Sequence, residues 1–314
     1  MSEKMNRLGI YRFAVATASC TVLLLMAGAL VTSNDAADSV PDWPLAYGRV
    51  IPPLIGGIRY EYTHRVLAGL VSILTAILAI WIARSEPRRS IRCLGWTALG
   101  LVIAQAVLGG LRVLEGHPAL TATAHAILAQ IFFMTLVSLA LFTSPWWQRD
   151  LPSLEDSGSP AARSVASWTT AVIFIQLILG AGFRHGAFGI VPHMIGAGVV
   201  TIFVVWAGRT IRVRFRSVPE LRRGVKYLHS TFGTQILLGG AAYWAVLAAR
   251  GAVQPSLVYV VLTVAHVLVG ALTLASSLLL TLSCFRMIRP ADAVTANSRA
   301  MDSHAANAAG KARA

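Results

Sequence analysis

Eight apolar stretches punctuate the chain, near residues 11–33, 63–83, 93–113, 120–144, 164–184, 191–208, 226–248 and 256–285. Each is long enough to cross about 30 Å of hydrocarbon as a helix. A bilayer offers no partner to an exposed peptide group, and nothing here alternates like a barrel strand, so the spacing predicts an all-α membrane protein of eight transmembrane helices. Of the 314 residues, 56% are hydrophobic and 13% charged, a balance a soluble domain of this size does not need. The net charge of +14 would suggest nucleic acid in a soluble protein. Here the arginines cluster between apolar runs, so they read as a topology signal; the expected surroundings are membrane lipid, with no nucleic acid.

The first run follows Lys4, Arg7 and Arg12 and precedes Ala36 and Ala37, as a secretory leader would. Its length exceeds a leader's apolar core, so it is read as the first span. Counting from there, most of the 27 basic residues fall on one side, and only Arg49, Arg59, Arg65, Arg112, Arg184 and Arg250 fall on the other. Positive-inside then places both termini in the cytoplasm, expected to be that of a bacterium. Trp43, Tyr60, Trp146, Trp147 and Trp244 lie near span ends, where interfacial rings need no further role. The polar stretch 148–164, containing Asp150, Glu155, Asp156 and Pro160, reads as a cytoplasmic linker between a first half, 1–147, and a second, 165–290. The Ala-, Asn- and Ser-rich tail 291–314 is expected to be disordered. Cys20, Cys93 and Cys284 are too scattered for a metal motif, and no structural disulfide is expected.

One phrase recurs: Gln105-Ala-Val-Leu-Gly109-Gly110, Gln176-Leu-Ile-Leu-Gly180-Ala181 and Gln235-Ile-Leu-Leu-Gly239-Gly240, with Met26-Ala-Gly28-Ala-Leu30 as a looser copy. Each sits on an odd-numbered helix and is followed by a histidine near the outer end of the next helix: His64, His125, His193 and His266. Two halves with an even number of spans enter the membrane with the same polarity, predicting two pseudo-symmetric four-helix bundles related as parallel repeats. Small residues let helices approach closely in lipid, and a flat porphyrin between helices makes the same demand. Intramembrane histidines are costly, and imidazole is a usual axial ligand of haem iron. The repeat pairs His64 with His125 and His193 with His266. His117, in an outer loop, and His304, in the tail, read as solvated, and His229 lies at the inner end of its helix. His185, eight residues before His193, could meet a haem propionate or act as an alternative ligand.

Glu61-Tyr-Thr-His64-Arg65 is the densest chemistry in the chain. Glu61 and His64 are spaced to share a helix face, which would put a carboxylate over the same site; the plainer role of Glu61 is an ion pair with Arg65 or Arg59. Arg65, Arg112 and Arg184 are the outer cations nearest the histidine helices, and guanidinium suits a propionate as well as an interface.

Together, Pro41-Asp42-Trp43-Pro44, Pro52-Pro53, the Glu61 to Arg65 entrance, and Gln105-x-x-x-Gly109-Gly110 before Ala124-His125 resemble the haem A synthase family closely. The resemblance covers nearly all eight helices and is looser in the second half. It implies oxidation of a methyl group of haem O to the formyl group of haem A, for cytochrome oxidase biogenesis. It further implies haem b on His193 and His266, the substrate haem on His64 and His125, and an essential Glu61. Haem O synthase and an electron acceptor would be its partners. Many relatives carry a cysteine after the Asp-Trp-Pro-Leu phrase, where this chain has Ala46, so a thiol relay in that loop is not expected. Two rivals remain from the residues alone. A dihaem b-type cytochrome oxidising quinol would use four histidines equally well but would want haems near both faces. A transporter built on parallel repeats would want polar residues at mid-membrane and broken helices.

Overall fold

The computed structural model describes residues 2–116 and 118–290. His117, His304 and the tail from 291, with the disorder expected of it, lie outside the described residues. Eight helices run as α1 (Ser2–Ser33), α2 (Ile58–Ser85), α3 (Arg89–Leu114), α4 (Ala119–Thr143), α5 (Ala162–Arg184), α6 (Val191–Arg214), α7 (Pro219–Ala248) and α8 (Leu257–Met287). All eight are long and apolar enough to cross a membrane, and the chain is a multi-pass integral membrane protein.

Several helices outrun the apolar stretches that announce them, because capping chemistry rather than hydropathy ends them. α6 continues through Arg209 and Arg212 to Arg214, as cations favour a helix C-terminus, and α7 starts on Pro219 with Glu220 in its first turn. Ser256 caps α8 by accepting the Tyr259 N–H through its hydroxyl. Within the spans, hydroxyls bond backward along their own helix, as Thr17, Thr21, Thr75 and Thr169 do to the carbonyl four residues earlier. Such bonding lets these hydroxyls be buried between helices without orphan groups.

The first four helices and the last four pack in the same pattern. α1 touches α2 and α4 as α5 touches α6 and α8, while α1 with α8 and α4 with α5 close the seam between the two sets. The largest apolar clusters, one around Ile10, Leu78, Ile82, Leu136 and Leu139 and one around Val204, Ile211, Leu228 and Leu280, fill the basic-side end of each set. A smaller apolar cluster of Ala29, Val260 and Val264, with Val267 and Leu268 against it, joins α1 and α8 near the level of His266.

The stretch 148–164 carries more structure than a linker. Its short strand β1 (Leu154–Asp156) pairs in parallel with β2 (Ile288–Pro290) just after α8. Asp156 then accepts the backbone N–H groups of Gly158 and Ala162 and pairs with Arg214 at 3.4 Å. Three-residue strands have no periodicity to read, which is why composition alone shows only polarity there.

Candidate functional site: histidines on glycine notches

Each predicted histidine rests on the glycine of the preceding helix: His64 on Gly28, His125 on Gly109, His193 on Gly180 and His266 on Gly239. A methyl group on any of these glycines would lie only 2.8 to 3.1 Å from the Cε1 atom of its imidazole. The glycines thus make notches that admit a ring edge, and the four Nδ1 atoms are buried there without a hydrogen-bond partner. The carbonyls of Leu24, Gln176 and Gln235, each one turn before its glycine, face His64, His193 and His266.

The recurring phrase has a second use. Gln105 donates its side-chain N–H to the His125 carbonyl at 3.0 Å and Gln176 does the same to His193 at 2.8 Å, while the Gln235 amide lies 3.4 Å from Nε2 of His266. These glutamines clip three of the helix hairpins at the histidine. In the first hairpin Leu24 stands in the corresponding place and makes no such clip.

The two pairs differ. His193 and His266 face each other with ring centroids 6.2 Å apart and planes nearly perpendicular, at 86°. That spacing leaves room for one metal atom with a nitrogen about 2 Å away on each side. His64 acts electrostatically on His125, and Arg112 acts on both. Among the described residues no group of three or more His, Cys, Asp or Glu is gathered as a metal site. Two-imidazole pairs on glycine notches suit an iron whose remaining ligands come from a macrocycle, so the residues fit haem.

The first outer loop is tied down over this end of the bundle. Buried Glu61 accepts the Val40 N–H at 3.0 Å and pairs with Arg65 at 2.6 Å. Arg65 in turn donates to the carbonyls of Asp42, Leu45 and Val40. Asp42 accepts the N–H groups of Tyr47 and Gly48, and these bonds, Gly48 foremost, hold its carboxyl below the usual carboxylate range. The plainer reading of Glu61 is therefore realised: its ion pair with Arg65 anchors a loop. Trp43, read from sequence as interfacial, lays its indole on Gly110, the second glycine of the phrase.

Of the three candidate cations, Arg65 is committed to the loop and Arg184 to the seam, where it donates to the Ala29 carbonyl at 3.1 Å and to Ser33 at 2.7 Å. Ser33 bonds onward to Thr263 of α8 at 2.8 Å, joining α1, α5 and α8. Arg112 is left as the buried cation with a free Nε, within electrostatic reach of Glu61. His185, grouped by sequence with His193, acts instead on His125 and Arg112 of the first half. His229 sits against Gly208, its Nδ1 2.8 Å from the Val225 carbonyl, a packing contact at the other end.

Burial, then the charges of Arg112 and Arg184, push the half-buried His185 down to about 4. An unfolded histidine titrates near 6.5, so the unfolded chain binds the extra proton first. The contribution of neutral His185 is complete above that value and is lost as pH falls toward 4. Lowering pH from 7.5 to 5 should cost on the order of 1 kcal/mol after solvent screening, and His185→Asn should flatten the dependence of thermal stability on pH. An unchanged slope in the variant would assign the acid sensitivity to other groups.

An eight-helix integral membrane protein that seats paired imidazoles on glycine notches is of the kind that holds porphyrins between its helices. The sequence model of the cytochrome oxidase assembly protein family matches residues 58–285, and the chain belongs to that family. Similar proteins include the haem A synthases of Alkalihalophilus pseudofirmus, 38% identical over 139 residues, and Halalkalibacterium halodurans, 37% identical over 132. Those alignments cover 43% and 41% of this chain and only 44% and 42% of the two relatives. The haem A synthase of Symbiobacterium thermophilum is 28% identical over 261 residues, covering 72% of this chain and 83% of that protein.

Proposed function

We propose that this chain is a haem A synthase, an oxidoreductase that acts on a CH3 group and converts haem O to haem A. The observation that carries the reading is the perpendicular His193–His266 pair at 6.2 Å, with His64 and His125 seated on glycines in the same way in the first half. In this reading residues 165–290 hold haem b between His193 and His266, residues 1–147 receive haem O at His64 and His125, and the basic side faces the cytoplasm. Haem O synthase would supply the substrate, and an electron acceptor would take what the oxidation releases. Bound haem b supplies one-electron transfer.

The chain's own residues do the remainder. Cε1 and Nδ1 of each ring lie nearest its glycine, which would turn Nε2 toward an iron; at His266 the Gln235 amide, 3.4 Å from Nε2, would have to give way. Arg112, with its buried free Nε, suits a propionate, and His185 lies beside it for the same group. Arg65 and Arg184 serve this end indirectly, one through the loop and one through the seam. Converting a methyl to a formyl group removes electrons and builds positive charge on the carbon beside the ring. Glu61, one helical turn before His64 and within electrostatic reach of Arg112, would stabilise that charge or accept a proton from water. The level of the histidines favours this over a transmembrane dihaem cytochrome, since all four lie toward one face.

Glu61→Gln removes the carboxylate charge and with it the ion pair to Arg65, while glutamine still accepts the Val40 N–H and Arg65 keeps its bonds to the Asp42, Leu45 and Val40 carbonyls. The variant should retain its haem and the loop, and should lose haem A formation by about 100-fold or more, read by chromatography of extracted pigments. Full haem A formation at normal haem content would remove Glu61 from the chemistry. Wild-type extracts containing haem b alone would favour the cytochrome.

A further inference from the structure

We propose that the turn between α6 and α7 is a binding site for the headgroup of an anionic phospholipid. Arg212, Arg216, Arg222, Arg223 and Lys226 line a concavity of about 850 Å³ there, together with Val213 and Pro219. Topology alone asks for cations on this side of the membrane. It does not ask that they ring a hollow or that they stay unpaired. Some cations elsewhere on the same side are matched: Arg88 pairs with Glu86 at 2.7 Å, Arg214 with Asp156, and Arg286 donates to the carbonyls of Trp147 and Arg149. Among the described residues the carboxylate that pairs at the hollow is Glu220, 3.8 Å from Arg223. Arg212, Arg216 and Lys226 have no carboxylate partner among the described residues.

Two of the guanidinium groups make long, exposed contacts with backbone: Arg223 to the Pro219 carbonyl one turn earlier in α7, at 3.4 Å, and Arg222 across the turn to that of Arg216, at 3.5 Å. No side chain caps the first turn of α7, so its N–H groups and positive dipole end add to the same field. Beside the hollow, Val213 and Tyr227 are 66% and 63% exposed, an apolar and an amphipathic side chain at the depth of the interface. A phosphate in the hollow with acyl chains running past Val213 satisfies both surfaces, which a soluble anion does not. The ligand is therefore a phosphate-bearing anionic lipid such as phosphatidylglycerol, and the site is separate from the histidine pairs.

Native mass spectrometry of the full-length protein in neutral detergent tests this, with dioleoylphosphatidylglycerol or dioleoylphosphatidylcholine added. The wild type should retain phosphatidylglycerol in preference to phosphatidylcholine. The triple variant R216Q/R222Q/R223Q should weaken that retention by about 100-fold, and Arg222→Gln alone by about 5-fold, whereas R84Q/R89Q should leave it unchanged. An unaltered haem spectrum and elution volume verify the fold, and the single variant carries the test if the triple one misfolds. Equal retention of both lipids, or equal loss in R84Q/R89Q, overturns the proposal in favour of a diffuse basic surface. Displacement of the lipid by millimolar inorganic phosphate overturns it in favour of a free-phosphate site.

Discussion

His266→Ala should leave the purified protein with essentially none of its haem b, while His64→Ala should keep haem b and lose the substrate haem. The argument rests on the geometry of the second pair. With ring centroids 6.2 Å apart, His193 and His266 can share one iron, and removing either imidazole leaves the other as a sole ligand on a helix wall. His185 does not stand in for it, because it acts on His125 and is acted on by Arg112, and not on His266. Reduced-minus-oxidised spectra and pigment extraction of the two variants give the readout. Loss of the same haem population from both would mean that the four histidines serve one site and that the division into halves is wrong.

How much of this was readable beforehand follows from the range of each interaction. The eight spans are set by local apolar length, and the histidines by a phrase that repeats along the chain, so both are visible in one dimension. Which glycine meets which ring is also implied by the repeat, since each pair lies on consecutive helices. The fates of the arginines are not. Arg65 reaches back more than a dozen residues to loop carbonyls, and Arg184 crosses from α5 to α1, so nothing local distinguishes them from Arg112. The same holds for Trp43 on Gly110, where a loop and a helix meet only after the bundle is formed. His185 shows the limit most plainly: sequence groups it with His193, but besides adjacent Arg184 it interacts electrostatically with Arg112 and His125 of the other half.

The glycine notches give the sharpest contrast between adjacent residues. Gly239→Val should sharply reduce haem b binding, while Gly240→Ala, one position along the same helix, should be neutral. A Cβ at 239 would lie 3.0 Å from Cε1 of His266, whereas a Cβ at 240 meets nothing within 4 Å. At the first position the imidazole must move, because α7 and α8 are closely packed and the helix backbone cannot withdraw cheaply. Overpacking of this kind costs about 1–3 kcal/mol, and the displaced ring can no longer share an iron with His193, so affinity should fall by roughly 10- to 100-fold. At the second position alanine relieves the helix of a residue that disfavours it by about 1 kcal/mol, so thermal stability should hold or rise slightly. Haem titration of the two detergent-solubilised variants measures the difference. Equal binding by both would mean that helix flexibility, rather than the shape of the notch, sets where the imidazole stands.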